Sequence, residues 1–491
     1  MCPNGGTGPI PLETRKLLFN RISMAWFPGC SDRCGKFEEY NTRKNVMRIT
    51  IRLVFVVSLL LIAVPALFGA NLQVGTCDGR LASYTSIQAA INKAAAGATI
   101  YVCPGTYAEQ LLITRPVTIK RISEGTASAA VLVAPASGFV VNASSLATGA
   151  PIIAQIAAVN PGSGSMSVNV SGIIVDGTNS GLPNGCSDGF IGILYENASG
   201  TISHVVTRSQ KTGTTPSGCQ LGEGIYVQSG ASGTSVVTVS FSTVHDYEKA
   251  GIVGNDPGTN LTVEFSSAIG QGPGGLAAQN GIQIGFGATG KIFSDYVSDN
   301  IWGSATQSSS SWAASGILVY GAHGVTVSGN TVMNSNYGIA IVSDIGDGYD
   351  ADDATVSSNR VMATHIFDAI DLCSSHDILT ANWTDSADES GINLDSTCSS
   401  GSYVSGTGNI LTANQMEDAC AGVLQGSTGN TFVSNIFNDT ATTILSGLTC
   451  YGTTTFPPLS TEQAQVEVGA LVDSLAVSPA TVANHSTPVR W

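Results

Sequence analysis

One feature constrains this chain more than any other: a glycine, once an alanine, followed by isoleucine or valine. It recurs at Gly192, Gly224, Gly251, Gly281, Gly316, Gly338, Ala369, Gly391 and Gly422. The gaps are 32, 27, 30, 35, 22, 31, 22 and 31 residues, so the bare unit is 22 residues and the longer units carry insertions of 5 to 13. A period of this size belongs to a solenoid, in which no unit buries its own apolar face and stacked units share one continuous core. With 57 glycines and only 11% charged residues, the composition favours short strands and turns over helices with charged outer faces.

A second phrase follows the first within each unit: VTVSGNTV (325–332), ATVSSNRV (354–361), DILTANWT (377–384), NILTANQM (409–416) and TFVSNIFN (431–438). Each reads as a short alternating strand, a polar corner and another short strand. Alternation sends every second side chain inward, so Ile317 and Val319, Ile339 and Ile341, Ile370 and Leu372, and Ile392 and Leu394 are expected to stack one coil upon the next. The corner holds Asn330, Asn359, Asn382, Asn414 and Asn435, with Ser242, Ser266 and Asp295 at the equivalent earlier corners. Asparagine tolerates a left-handed backbone, and its amide both donates and accepts, so a structural ladder is expected here.

At the amino end, TSIQAAINKAAAG reads as a short helix, with Thr85 and Gln88 in capping-box spacing, Ile87, Ala90, Ile91 and Ala94 on one face, and Gly97 at its end. Such a helix would cover the open end of the apolar stack. A second capping helix is expected from Ser460 to Val472, with the last dozen residues disordered.

Residues 1–46 form a basic leader of doubtful status, and residues 47–70 have the anatomy of a signal peptide: Arg48 and Arg52, then an apolar run, then small residues. Met47 directly precedes this segment and is expected to be the true start. Cleavage and retention as a membrane anchor both remain open. The solenoid then occupies 71–450 and a cap and tail occupy 451–491. From residue 71 onward there are eight cysteines, an even number suited to disulfides in an exported chain, with neighbour pairs such as Cys77–Cys103 and Cys186–Cys219 expected. The same stretch has 31 Asp and Glu against 11 Lys and Arg. So acidic a surface excludes nucleic acid and anionic lipid as partners, leaving a membrane relevant only through the N-terminal anchor, and it disfavours polyuronates unless cations intervene.

The phrase YTSIQAAINKAAAGATIYVCPGTYAEQLLITRPVTIKR, with the repeats that follow, resembles the amino-terminal cap and first coil of the right-handed parallel β-helix proteins of the pectin-lyase-like superfamily. The resemblance covers about residues 80–450. It implies an all-β, right-handed parallel β-helix of about ten coils with an N-terminal capping helix, secreted or held in the cell envelope. It does not select an activity, because the superfamily includes lyases, hydrolases, esterases, epimerases and non-catalytic surface proteins. The esterase-like Gly105, Tyr107 and Glu109 lack the family's later catalytic motifs. The polygalacturonase and epimerase motifs are absent, and the bases a lyase would use are few: Arg208, Lys211, Lys249, Lys291 and Arg360.

Ligands in this fold commonly lie along the strands that here begin at each Gly-Ile. The outward positions read Tyr226, Gln228, Gln283, Tyr320, Asp371, Asn393 and Asp395, a row suited to a sugar chain. Asp371 and Asp395, one coil apart and offset by two residues, have expected backbone positions about 8 Å apart. That spacing suits the acid and base of an inverting glycosidase; the plainer alternative is that both only solubilise a sheet face. Trp302 and Trp312 on the longest insertion are candidates for a sugar platform or for a cover over the coil beneath. The loop carrying Asp344, Asp347, Asp350, Asp352 and Asp353 is a candidate calcium site or a solvated loop. The expected protein is a monomer that needs no cofactor, calcium being the candidate ion. It binds or processes an extracellular polysaccharide, as a glycoside hydrolase more than a lyase, with a non-catalytic adhesive β-helix as the rival reading.

Overall fold

In the computed structural model the described residues are 71–446, apart from 80, 82, 123–128, 183–187, 212–220, 231, 273–276, 303–313, 345, 347, 396–405 and 441. The leader, the signal segment and the expected C-terminal helix therefore lie outside the described residues.

Each coil contributes three short strands, and every neighbouring pair along the stack is parallel, save one small antiparallel strap at Ala143–Ser144. The result is a right-handed parallel β-helix. Face one contains the Gly-Ile strands, among them Glu223–Gln228, Ala250–Asn255, Asn280–Gly285, Ser315–Tyr320, Tyr337–Val342 and Ile370–Cys373. Face two is the 14-stranded sheet that carries strands such as Thr326–Ser328 and Thr355–Ser357. Face three carries Thr331–Ser335 and Arg360–Thr364 and merges with face one where the long strands Trp383–Leu394 and Gln415–Gln425 turn the corner without a break.

The expected stacking is realised residue for residue. Ile317, Ile339, Ile370 and Ile392 pair in one column, and Val319, Ile341, Leu372 and Leu394 in the next, all fully buried. At about 1.5–3 kcal/mol for each buried aliphatic side chain, these columns supply the main cohesion between coils. The repeated glycine has a steric cause rather than a conformational one. A Cβ on Gly316 would lie 2.3 Å from Val332 Cγ1 and 2.8 Å from the carbonyl of Gly338, and one on Gly338 would lie 2.2 Å from Val361 Cγ1. Face three's core valines press against face one at this corner, and only a hydrogen fits between them.

The asparagine ladder is present, but its backbone logic differs from expectation. The left-handed residue is the one before each ladder position: Phe241, Phe265, Ser294, Gly329, Ser358, Ala381, Ala413 and Ser434, with φ between 48° and 66°. That residue makes the turn, which leaves the asparagine free to serve purely as a hydrogen-bonding unit. Asn330 Nδ2 donates to Asn359 Oδ1 at 2.9 Å, Asn359 to Asn382 at 3.0 Å, Asn382 to Asn414 at 2.9 Å and Asn414 to Asn435 at 3.0 Å. Each amide also donates to a backbone carbonyl of the preceding coil, and each Oδ1 accepts a backbone N–H as well. Ser242, Ser266 and Asp295 continue the ladder upstream.

Asn382→Leu is therefore expected to strip partners from the buried Asn359 N–H and Val356 carbonyl together. The cost is about 3 kcal/mol or more, since each orphaned buried group costs about 1–3 kcal/mol. A urea titration should show a lower midpoint at unchanged slope; an unchanged midpoint would reduce the ladder to decoration.

Helix α1, Ile87–Lys93, closes the amino end with Ile87, Ala90 and Ile91 buried. Its cap is not the expected Thr85/Gln88 box. Ser86 is the N-cap, and Glu109, a residue of the next turn of chain, accepts from the Ile87 N–H at 2.8 Å, the Gln88 N–H at 2.9 Å and the Ser86 hydroxyl at 2.7 Å. A carboxylate there also suits the positive end of the helix. Tyr107 donates to the Cys103 carbonyl. The Gly105, Tyr107, Glu109 pattern is thus a fastening of the cap onto the first coil. Cys77–Cys103 forms the disulfide expected of that pair, and Cys373 and Cys420 are disulfide-bonded as well. The expected Cys186–Cys219 pair lies outside the described residues.

Candidate functional site

Register places Asp371 directly opposite Asn393, with Asp395 two residues further along the same rung. Rungs about 4.8 Å apart and a rise of about 3.4 Å per residue set the Asp371 and Asp395 backbones about 8 Å apart. Asp371 is not a solubilising surface acid, and Asp395 is half-buried. Asp371 is only 5% exposed, and burial, together with the charges of Asp395, Asp368 and Glu389, holds its carboxyl well above the usual range. Burial likewise raises Asp395, against the opposing hydrogen bond from Asn393.

Two further carboxylates complete the group. Asp368 lies in the corner leading into the Ile370–Cys373 strand, and Glu389 in the equivalent corner one coil on, where the pairing register slips between Ala387 and Ser390. Burial pushes Asp368 up to about 7 and Glu389 up to about 9, with the neighbouring carboxylates adding to each. Asp368 accepts from Ser390 Oγ at 2.6 Å, and Asn393 Nδ2 bridges Asp368 Oδ2 at 3.1 Å and Asp395 Oδ1 at 3.2 Å. Asp371 Oδ1 is buried with no hydrogen-bond partner. Tyr337, one coil back, stacks on Phe367 with ring centroids 4.5 Å apart, and burial and the same four carboxylates raise its hydroxyl. Carboxyls whose burial and mutual repulsion favour the protonated form are an arrangement able to hold and hand over protons.

The rest of the outward row is not uniformly open. Gln228 is fully buried beneath the strap, accepting from the Leu146 N–H and donating to the Ser144 carbonyl and Glu196, so it does not offer its amide to a ligand. Tyr226 packs against the apolar patch of Ile152, Ile191 and Leu194, and its hydroxyl accepts from Asn255. Gln283 is spoken for by Asn280 and Asn255. Tyr320 packs on Phe286. Trp302 is anchored through its backbone N–H to Asn336 Oδ1, and Trp312 lies outside the described residues.

The acidic loop has its own geometry. Asp344 bridges to Tyr349, Asp350 and Asp353 flank His323 at 2.5 Å and 3.3 Å, and Asp352 accepts from the Ser375 N–H. Asp350 and Asp353 share His323 while Asp352 and Asp344 turn to other partners; Asp347 is outside the described residues. Among the described residues no group of three His, Cys, Asp or Glu is arranged to hold a metal.

Sequence reading missed Asp368, Glu389, Tyr337 and Phe367 because it followed only the positions after each Gly-Ile. The signal lay just before it: Tyr337 precedes Gly338, Asp368 precedes Ala369, and Glu389 lies two residues before Gly391.

Fold and site together define a right-handed parallel β-helix with a carboxylate cluster on face one. The model of the family described as periplasmic copper-binding protein (NosD) matches residues 277–455, a stretch that contains the cluster. No curated protein matches the chain. Among solved structures, the chain is similar to the A-module of the Azotobacter vinelandii mannuronan C-5 epimerase AlgE4, at 12% identity, covering 74% of this chain and 94% of that one, with a TM-score of 0.44. It is similar to PfbA, a surface adhesin of Streptococcus pneumoniae, at 14% identity, covering 73% and 86%, with a TM-score of 0.47. It is also similar to the GH136 lacto-N-biosidase from Eubacterium ramulus, at 11% identity, covering 77% and 68%, with a TM-score of 0.46.

The described residues do not fit copper. Cys373 and Cys420 are in disulfides, and His365 is buried and bonded to Asn334 Oδ1, so the soft thiolate and free imidazole donors that select copper are not assembled.

Proposed function

We propose that this protein is an exported glycan-binding β-helix that hydrolyses glycosidic bonds at the Asp371–Asp395 pair. The observation that carries the reading is the placement of buried Asp371 and half-buried Asp395 on adjacent rungs of face one, two residues apart in register; strand geometry sets their backbones about 8 Å apart, which suits the carboxyl separation of about 6.5–9.5 Å that leaves room for a water opposite the leaving group. Asp371 protonates the leaving oxygen as the bond from the anomeric carbon breaks. Asp395 takes a proton from the incoming water, whose oxygen bonds that carbon. Export rests on the disulfides, which persist in oxidising compartments, and on the apolar segment at 53–63.

A glycan array followed by reducing-sugar and ultraviolet-absorbance assays tests the reading. New reducing ends without absorbance are expected. An absorbing unsaturated product would replace hydrolysis by elimination, and binding without product would leave an adhesive β-helix.

A further inference from the structure

The carboxylate cluster is short of donors and of positive charge. Four acidic side chains converge, yet among the described residues the side-chain donors hydrogen-bonded to them are Ser390 and the single Asn393 amide. Among the described residues, burial, the neighbouring carboxylates and the Asn393 amide are the main influences on Asp371. Cations on earlier coils are engaged elsewhere: Arg208, on face three, is paired with Asp176 at 2.7 Å, and Lys249, just before the face-one strand Ala250–Asn255, donates to the Ala278 carbonyl beside Glu223. The unpartnered Asp371 Oδ1 is a buried acceptor, and buried acceptors are rarely left without a donor.

We infer that the cluster around Asp371 seats a sugar unit bearing a free ammonium group, so that the glycan taken at this site is an amino-sugar polymer rather than a neutral or uronate one. The inference rests on the reading of face one as the glycan site. An ammonium brings three donors and one positive charge to a place short of both, and its charge lets Asp368 or Glu389 ionise to pair with it while Asp371 keeps its proton. A uronate would add another negative charge to carboxylates already crowded and desolvated, and repulsion would exclude it. A neutral sugar would supply donors without charge and bind between the two.

The test is calorimetric binding of three probes to the full chain at pH 7: a glucosamine tetramer, its N-acetylated counterpart and a galacturonate tetramer. The glucosamine tetramer is expected to bind at least 10-fold more tightly than the acetylated form, with no detectable galacturonate binding. Asp371→Asn should erase that preference, whereas Asp350→Asn with Asp353→Asn, in the distant acidic loop, should leave it intact. A tetralysine of similar charge should bind more weakly than the glucosamine tetramer, which separates a seated sugar from general attraction to an acidic protein. Equal or tighter binding of the acetylated or uronate probe overturns the inference, as does a preference that survives Asp371→Asn or vanishes with the loop variant. Product assays run on the same probes keep the two readings apart. Selective binding without new reducing ends removes the hydrolytic reading and leaves the ligand class standing; cleavage confined to the acetylated probe does the reverse.

Discussion

Asp371→Asn and Asp395→Asn should each lower turnover of the cleaved glycan by at least about 100-fold, with KM changed far less, because each removes one half of a proton relay used in the transition state. The roles follow from the surroundings of each carboxyl. Asp371 is buried, has one oxygen without a donor and faces three other acids, all of which favour its protonated form and make it the acid. Asp395 receives the Asn393 amide, which favours the ionised form, and makes the base. Activity should therefore fall on the acidic side as Asp395 gains a proton and on the alkaline side as Asp371 loses its own. The residual rate of Asp371→Asn should lack the alkaline limb, a change that a structural role for Asp371 would not cause. Asparagine matches aspartic acid in shape, so packing at face one is preserved. Undiminished turnover in both variants would end the assignment.

The fold was legible in the sequence because it repeats. A solenoid states its core many times over, so the Gly-Ile spacing, the inward columns from Ile317 to Leu394 and the corner series from Ser242 to Asn435 each reinforce one register. Departures from that reading arose where a side chain acts across coils. Glu109 caps α1 from the next stretch of chain, and the left-handed strain rests on Ser358 or Ala381 rather than on the asparagine beside it. The candidate site was half legible for the same reason. Asp371 and Asp395 occupy strand positions whose direction follows from alternation. Asp368 and Glu389 occupy corners, where orientation depends on how the bend and the register slip at Ala387/Ser390 aim each side chain. Burial was not legible either: the outward row was expected to be open, yet Gln228 lies under a strap from residues more than 80 positions earlier.

The same carboxylates should make the protein more stable in mild acid than in mild base. Burial raises Asp368 to about 7 and Glu389 to about 9 and holds Asp371 well above its usual value, and Asp377 and Glu223, outside the cluster, also rise to about 7, whereas in the unfolded chain these groups titrate near pH 4. Between those values the folded state holds more protons than the unfolded state, so stability falls as pH rises. The contribution is complete below about pH 4 and is lost as pH climbs through about 7 and then about 9. Asp176, which Arg208 and Thr178 hold below its usual value despite burial, works the other way but only in stronger acid. Lys249, lowered by burial to about 8, opposes the trend only above that pH. At about 1.4 kcal/mol per unit, the cluster's share is on the order of a few kcal/mol. Calorimetry should find the unfolding temperature at least about 5 °C lower at pH 8 than at pH 5. Asp368→Asn combined with Glu389→Gln should flatten that slope, since both side chains are then neutral at every pH. A midpoint equal or higher at pH 8 would mean that these acids are charged in the folded protein, and with them would go the protonated Asp371 on which the catalytic reading depends.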